Sequence, residues 1–237
     1  MSQSFDGAAL AAVANRILEN TESTYADFVQ RWHLRAERMF FWLMGGQWLF
    51  GILIALVVSP FAWEGKTRVV SNHLFAAIFL GGLLSVLPMV LIRLRPGWVG
   101  TRHVIAFSQV MWSALLIHLT GGRIETHFHV FGSLAFLAFY RDWKVLVTAT
   151  VTVAADHFVR GLFIPESVYG IANASIWRFL EHAGWVVFEV AVLAYGIAVS
   201  LRELRRIAEN VAQIEAFAER ESLAATEVPP GALPATA

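Results

Sequence analysis

Cysteine is absent from these 237 residues, and charge is scarce, with Asp, Glu, Lys and Arg making up 15%. Without thiols there can be no disulfide, thiolate zinc site, Cys-ligated iron–sulfur cluster or Cys nucleophile. Any metal must then be held by imidazole, carboxylate or porphyrin. The formal net charge is zero, so the basic excess needed for phosphate recognition is missing and nucleic acid is not an expected partner. Met1 to Gly7 is polar and acidic, not basic then apolar, so there is no signal-peptide pattern and the N-terminus is expected to stay in the cytoplasm. No HExxH or nucleophile-elbow motif names a catalytic role, which leans against an enzyme without deciding the question.

Apolar residues fill that space. At 57% hydrophobic and a mean hydropathy of +0.58, a water-soluble fold would leave too much apolar surface uncovered. The lipid bilayer is the expected surrounding, and the fold class is an all-α transmembrane helical bundle. A crossing helix needs ~20 residues at ~1.5 Å each. Six apolar stretches are read as spans: Met39 to Ser59, His73 to Ile92, His103 to Leu119, His127 to Tyr140, Val145 to Phe163, and Phe179 to Leu201. Breakers mark most ends: Pro60, Pro96 with Gly97, Gly121 with Gly122, and Pro165. Placing both termini in the cytoplasm leaves only Lys66, Arg68, Arg123, Arg160 and Arg178 of the 18 basic residues near the outer surface, as the positive-inside rule favours.

Either side of the bundle the pattern changes. Residues 1–38 are expected to be cytoplasmic, with Ala8 to Arg38 an amphipathic helix, and residues 39–201 form the six-helix domain. Residues 202–222 read as a cytoplasmic signalling helix. Leu204, Ile207, Val211 and Ile214 recur there at the 3, 4, 3 spacing of a two-stranded coil, which predicts a homodimer; an amphipathic tail on the inner leaflet would give the same spacing. Residues 223–237, rich in Ala and Pro, are expected to be disordered.

Histidine placement carries the functional reading. The span count brings His73, His118, His127, His129, His157 and His182 to the outer half of the bilayer and leaves His33 and His103 on the cytoplasmic side. His157, thirteen residues beyond Lys144, stands ~20 Å up its helix. Carboxylates share this level: Glu125, Asp156, Glu181 and Glu189. An ionisable group inside a bilayer costs ~2.5–3.5 kcal/mol even on lenient scales, so each needs a partner. Asp156 has Arg160 one turn along.

The expected centre is a transition metal, iron or copper ahead of zinc, held by His118, His127, His129, His157 and His182. His73, Glu125, Asp156, Glu181 and Glu189 would be outer or additional ligands, and bis-His haem b is the alternative. His127 and His129 diverge by ~200° on a helix and cannot serve one ion from the same face. His129 shares a face with Glu125 and is the preferred ligand of the two. Against this stands the ordinary use of histidine at membrane interfaces, each ring packed alone.

Three blocks, HLTGGRIETHFHVFGSLAFLAFYRDWKVL (His118 to Leu146), DHFVRGLFIPESVYG (Asp156 to Gly170) and WRFLEHAGWVVFE (Trp177 to Glu189), resemble the multi-spanning N-terminal sensor region of bacterial histidine kinases and methyl-accepting chemotaxis receptors. The resemblance runs from about Arg38 to Arg206. It implies an input module in the bacterial cytoplasmic membrane whose last helix signals to an output domain. No kinase or receptor tip fits in the residues after Leu201, so the expectation is either a free-standing sensor acting through a cytoplasmic histidine kinase or other output protein, or a fragment of a longer receptor. A membrane metallo-oxidoreductase is the rival reading of the same histidines.

Overall fold

Two long helices open and close the chain. The computed structural model describes residues 7–58, 61–64, 67–70, 72–171 and 175–226. Helix α1 runs Gly7–Val58 and helix α8 runs Ile176–Thr226. Neither stretch contains a proline, and the Gly45–Gly46 pair in α1 is tolerated. The boundary expected at Arg38 therefore falls inside a continuous helix. The tail expected to be disordered is helical up to Thr226, and its remainder, like Pro60 and Lys66, lies outside the described residues.

Between these lie a hairpin of β1 (Phe61–Glu64) and β2 (Thr67–Val70), then α2 (Asn72–Phe75), α3 (Gly81–Leu94), α4 (Val99–Leu119), α5 (Ile124–Ala138), α6 (Trp143–Phe163) and α7 (Glu166–Tyr169). The hairpin pairs Phe61 with Val70 and Glu64 with Thr67. It was not foreseen from the sequence, although aromatic and β-branched residues dominate both four-residue strands. Between α2 and α3, residues Ala76–Leu80 adopt π-helical geometry, and α3 encloses Pro88.

Every expected span has a helix at its place. Four helical stretches are long and apolar enough to cross a membrane: Ala11–Val58, Asn72–Leu94, Trp143–Phe163 and Ile176–Ser222. Large apolar side chains on them are exposed, among them Trp42, Phe79, Phe163 and Phe188, as lipid-facing positions should be. Helix α5 has only 15 residues, and α4 is too polar, so neither meets that standard.

Polarity in α4 follows from its position. It packs against α3, α5, α6 and α7, and its Thr101, Arg102, Ser108, Gln109 and Ser113 are all buried. A helix enclosed by protein can satisfy polar groups that lipid could not. Gln109 Nε2 donates to Ser133 Oγ at 3.0 Å. Trp112 Nε1 donates to Ser85 Oγ at 3.0 Å, and that hydroxyl donates to the Met44 carbonyl at 2.9 Å. Arg102 bonds Asp142 Oδ2 at 2.9 Å and lies 3.1 Å from His33 Nε2.

The chain divides into two compact units, Met1–Arg31 with Val199–Ala237, and Trp32–Ala198. In the first, the two helical segments run antiparallel. Arg16 pairs with Glu219 at 3.1 Å, and Glu22 pairs with Arg205, whose guanidinium also lies over the Tyr25 ring. Thr21, Ala208 and Ala212 are buried there. The expected coil seam is split: Leu204 and Val211 are half-buried, whereas Ile207 and Ile214 are exposed beside Phe217. The heptad spacing did not reveal that α1 supplies a partner within the same chain.

Loop chemistry closes one end of the second unit. Gly122 (φ 75°) follows α4 and Gly170 (φ 68°) follows α7, both in the left-handed region that favours glycine. A Cβ on Gly122 would stand 2.3 Å from the Gly170 backbone nitrogen. Gly122→Ala should therefore cost more than the ~1–2 kcal/mol of the left-handed conformation alone. A melt of detergent-purified protein should show a clearly lowered transition, whereas Gly132→Ala, where a Cβ meets nothing within 4 Å, should leave it unchanged.

Candidate functional site

Three of the six histidines expected at the outer surface meet. The His127 ring on α5 lies 5.6 Å from that of His157 on α6 and 5.2 Å from that of His182 on α8, and His157 and His182 are 6.2 Å apart, centroid to centroid. The Tyr169 ring on α7 stands 5.5 Å from His182.

Two of these imidazoles have Nδ1 bonded to a backbone acceptor, and the third has a carboxylate nearby. His127 Nδ1 donates to the Arg123 carbonyl at 2.9 Å and His182 Nδ1 to the Arg178 carbonyl at 2.7 Å, each one turn back along its own helix. His157 Nδ1 faces Asp156 Oδ2 at 3.3 Å. A carbonyl can only accept, so the proton of His127 and of His182 sits on Nδ1. In a neutral ring the Nε2 of His127 and of His182 is then a lone pair, which is the arrangement metal-ligating histidines use. His127 Nε2 is buried with no hydrogen-bond partner.

A pocket of about 70 Å³ opens beside the triad between α5, α6 and α8. Its walls are apolar, with Val130, Phe131, Val153, Phe179, Val186 and Val187 prominent. A groove lined by Ile124, Phe128, Glu181 and Trp185 continues it on the far side of His127 and His182.

The other expected ligands are elsewhere. His129, preferred from the sequence, is turned away: Gln47 Nε2 lies 3.0 Å from its Nε2 and Ser113 Oγ 2.8 Å from its Nδ1. The ~200° divergence applies as expected, but α5 points His127, not His129, at α6 and α8, and Glu125 is exposed. His118 pairs with His73, ring centroids 5.0 Å apart. Glu181 is exposed at the groove. Glu189 is half-buried outside the pocket walls, with Oε2 enclosed and unpartnered.

A polar chain links the His73–His118 pair to the triad. His118 Nδ1 and Arg160 Nη1 reach Ser167 Oγ at 2.8 and 3.0 Å. Arg160 clasps Asp156 through two bonds of 2.8 and 2.6 Å, and Asp156 faces His157. The Asp156–Arg160 pairing was legible from the i, i+4 spacing; Ser167 and Tyr169 carried no such signal. Burial pushes the Tyr169 phenol up from its ordinary value, which keeps it a hydroxyl.

Fit to a metal can be judged from spacing. Three imidazoles around one tetrahedral ion, with ~2.0–2.1 Å bonds, place ring centroids ~5 Å apart. The triad is close to this, but among the described residues no group of three or more His, Asp or Glu side chains is placed to hold an ion. The rings would have to turn inward to enclose one.

Fold and site together define a helical membrane protein with a histidine-capped apolar pocket. Over 129 residues the chain is 30% identical to the transducer protein Htr8 of Halobacterium salinarum, an alignment covering 48% of this chain. The chain spans about a fifth (20%) of that relative's length. No protein-family model matches, and no solved structure matches.

Proposed function

We propose that the chain is a membrane-integrated sensor module of a signal-transduction protein, with the His127–His157–His182 pocket as its sensing element. The similarity to a halobacterial transducer supports the sensory role. The observation that carries the site is the convergence of rings from α5, α6 and α8 on an apolar pocket. Because α8 continues as one helix into the antiparallel pair with α1, a ligand that draws His182 toward His127 and His157 would bias how α8 is held. Only a difference in affinity between two packings can drive that shift.

On this reading all six apolar helices cross the membrane, with α4 sheltered by the others, and both termini are cytoplasmic. A homodimer forms through exposed Ile207, Ile214 and Phe217, and a cytoplasmic kinase or other output protein receives the signal. The expected transition-metal centre is narrowed to three imidazoles, with Asp156 behind His157, and His118 and His129 drop out of it.

Metal analysis and an optical spectrum on purified protein test the centre. About one iron or copper per chain, lost in His127→Ala and His182→Ala but kept in His129→Ala, is the expected result. A Soret band would indicate haem b instead. The absence of cysteine makes spin labels at Leu18→Cys and Phe217→Cys a clean reporter of the sensor role. If neither the triad variants nor any added metal or pocket ligand changes the distance between the labels, the pocket is not a sensing element.

A further inference from the structure

We infer that the pocket beside the triad binds a membrane-borne hydroquinone, whose ring and tail lie along the apolar walls while its hydroxyl groups donate to imidazole Nε2 atoms. This rests on the pocket being the sensing element, but not on a bound metal.

Size decides first. The space beside the triad is about 70 Å³ between the Val and Phe walls and about 550 Å³ in the groove that continues it past His127 and His182, and the groove falls within the ~300–1,000 Å³ of sites built for organic ligands. Wall chemistry decides next. Val130, Phe131, Val153, Phe179, Val186 and Val187 offer no polar side chain, and the hydroxyl of Thr150 is turned to the Leu146 carbonyl at 2.7 Å, which disfavours sugars, nucleotides and charged metabolites and suits an aromatic ring with a hydrocarbon substituent.

The polar end selects the head group. Backbone carbonyls take the Nδ1 protons of His127 and His182, so in the neutral ring Nε2 accepts a hydrogen bond and does not donate one. His127 is 5% exposed and lines the pocket with Nε2 unpartnered, and His157 is 6% exposed. A buried acceptor without a donor is costly to leave unmet. Phenolic hydroxyls supply donors, whereas the carbonyl oxygens of the oxidised quinone meet lone pair with lone pair. The site therefore discriminates the reduced carrier from the oxidised one by hydrogen-bond polarity. Access fits a ligand dissolved in lipid, because the groove that continues the pocket is flanked by exposed Trp185, Phe128 and Ile124.

The test is equilibrium binding of a decyl-substituted benzohydroquinone and its benzoquinone to the full chain in lipid nanodiscs, with and without prior chelation. The hydroquinone should bind at least ten times more tightly than the quinone once metal is chelated and the Nε2 lone pairs are free. His127→Phe and His182→Phe should each weaken hydroquinone binding at least tenfold, and Val153→Trp should abolish it by filling the pocket. His129→Phe, which keeps the triad intact, controls for general disruption and should bind as wild type does. Equal affinity for both redox forms, indifference to the triad variants, or binding that disappears on chelation each overturns the inference. A wild type that binds neither form, yet changes its Leu18→Cys to Phe217→Cys label distance on adding metal, removes the hydroquinone and leaves the sensor reading in place.

Discussion

Arg102→Met is expected to destabilise the second unit by ~3–5 kcal/mol, the cost of removing one member of a buried ion pair. Arg102 is 7% exposed and donates to Asp142, which also caps α6 by accepting from the Lys144 backbone nitrogen at 3.1 Å. Losing the guanidinium strands the Asp142 carboxylate and leaves His33, 6% exposed, without its neighbour. Nearby, Glu37 is 1% exposed and accepts from the Gly97 backbone nitrogen at 2.8 Å. The double replacement Arg102→Met with Asp142→Ser keeps a capping oxygen and removes the stranded charge, so it should recover a substantial part of the loss. Thermal unfolding in a mild detergent measures both; equal transitions for wild type and Arg102→Met would show that the pair contributes nothing.

The second large effect is expected at Gly51. A Cβ there would lie 2.5 Å from Trp112 Cζ3, and one on Gly81 would lie 2.7 Å from Trp112 Cη2. Trp112 is fully buried and held by its bond to Ser85. Helix association inside a bilayer gains nothing from expelling water, so close van der Waals packing carries the α1–α3–α4 contact and small residues permit it. Gly51→Ala should cost ~1–3 kcal/mol through overpacking, and Trp112→Leu alone a comparable amount through the void it leaves. Together they should cost less than their sum, because the smaller side chain makes room for the new methyl. Strict additivity in the melting data would mean that the two positions do not share this space.

These two sites show where sequence reading succeeds and where it stops. Helix positions along the chain were legible because apolar length and breakers such as Gly121–Gly122 and Pro165 act locally. So was the end of its helix at which each histidine stands, since rise per residue is fixed. Rotation about the helix axis was not legible. His127 and His129 differ by two residues and about half a turn, and which of them faces α6 and α8 depends on how α5 is rotated against its neighbours. The same limit split His118 and His73 from the triad. Polar α4 read as an ordinary span, because a buried Gln109 or Arg102 shows its partner Ser133 or Asp142 only once helices are assembled. The heptad seam failed to reveal that α1 lies against α8 for a related reason: spacing marks a sticky stripe without saying what sticks to it.

The clasp between Asp156 and Arg160 also bears on how this protein is made. Both charges lie on α6, one turn apart and joined by two bonds, so they can neutralise each other as soon as that helix forms, before any neighbour arrives. A segment emerging from the ribosome with its carboxylate and guanidinium already paired enters lipid as an uncharged rod, and biogenesis of α6 need not wait for the rest of the bundle.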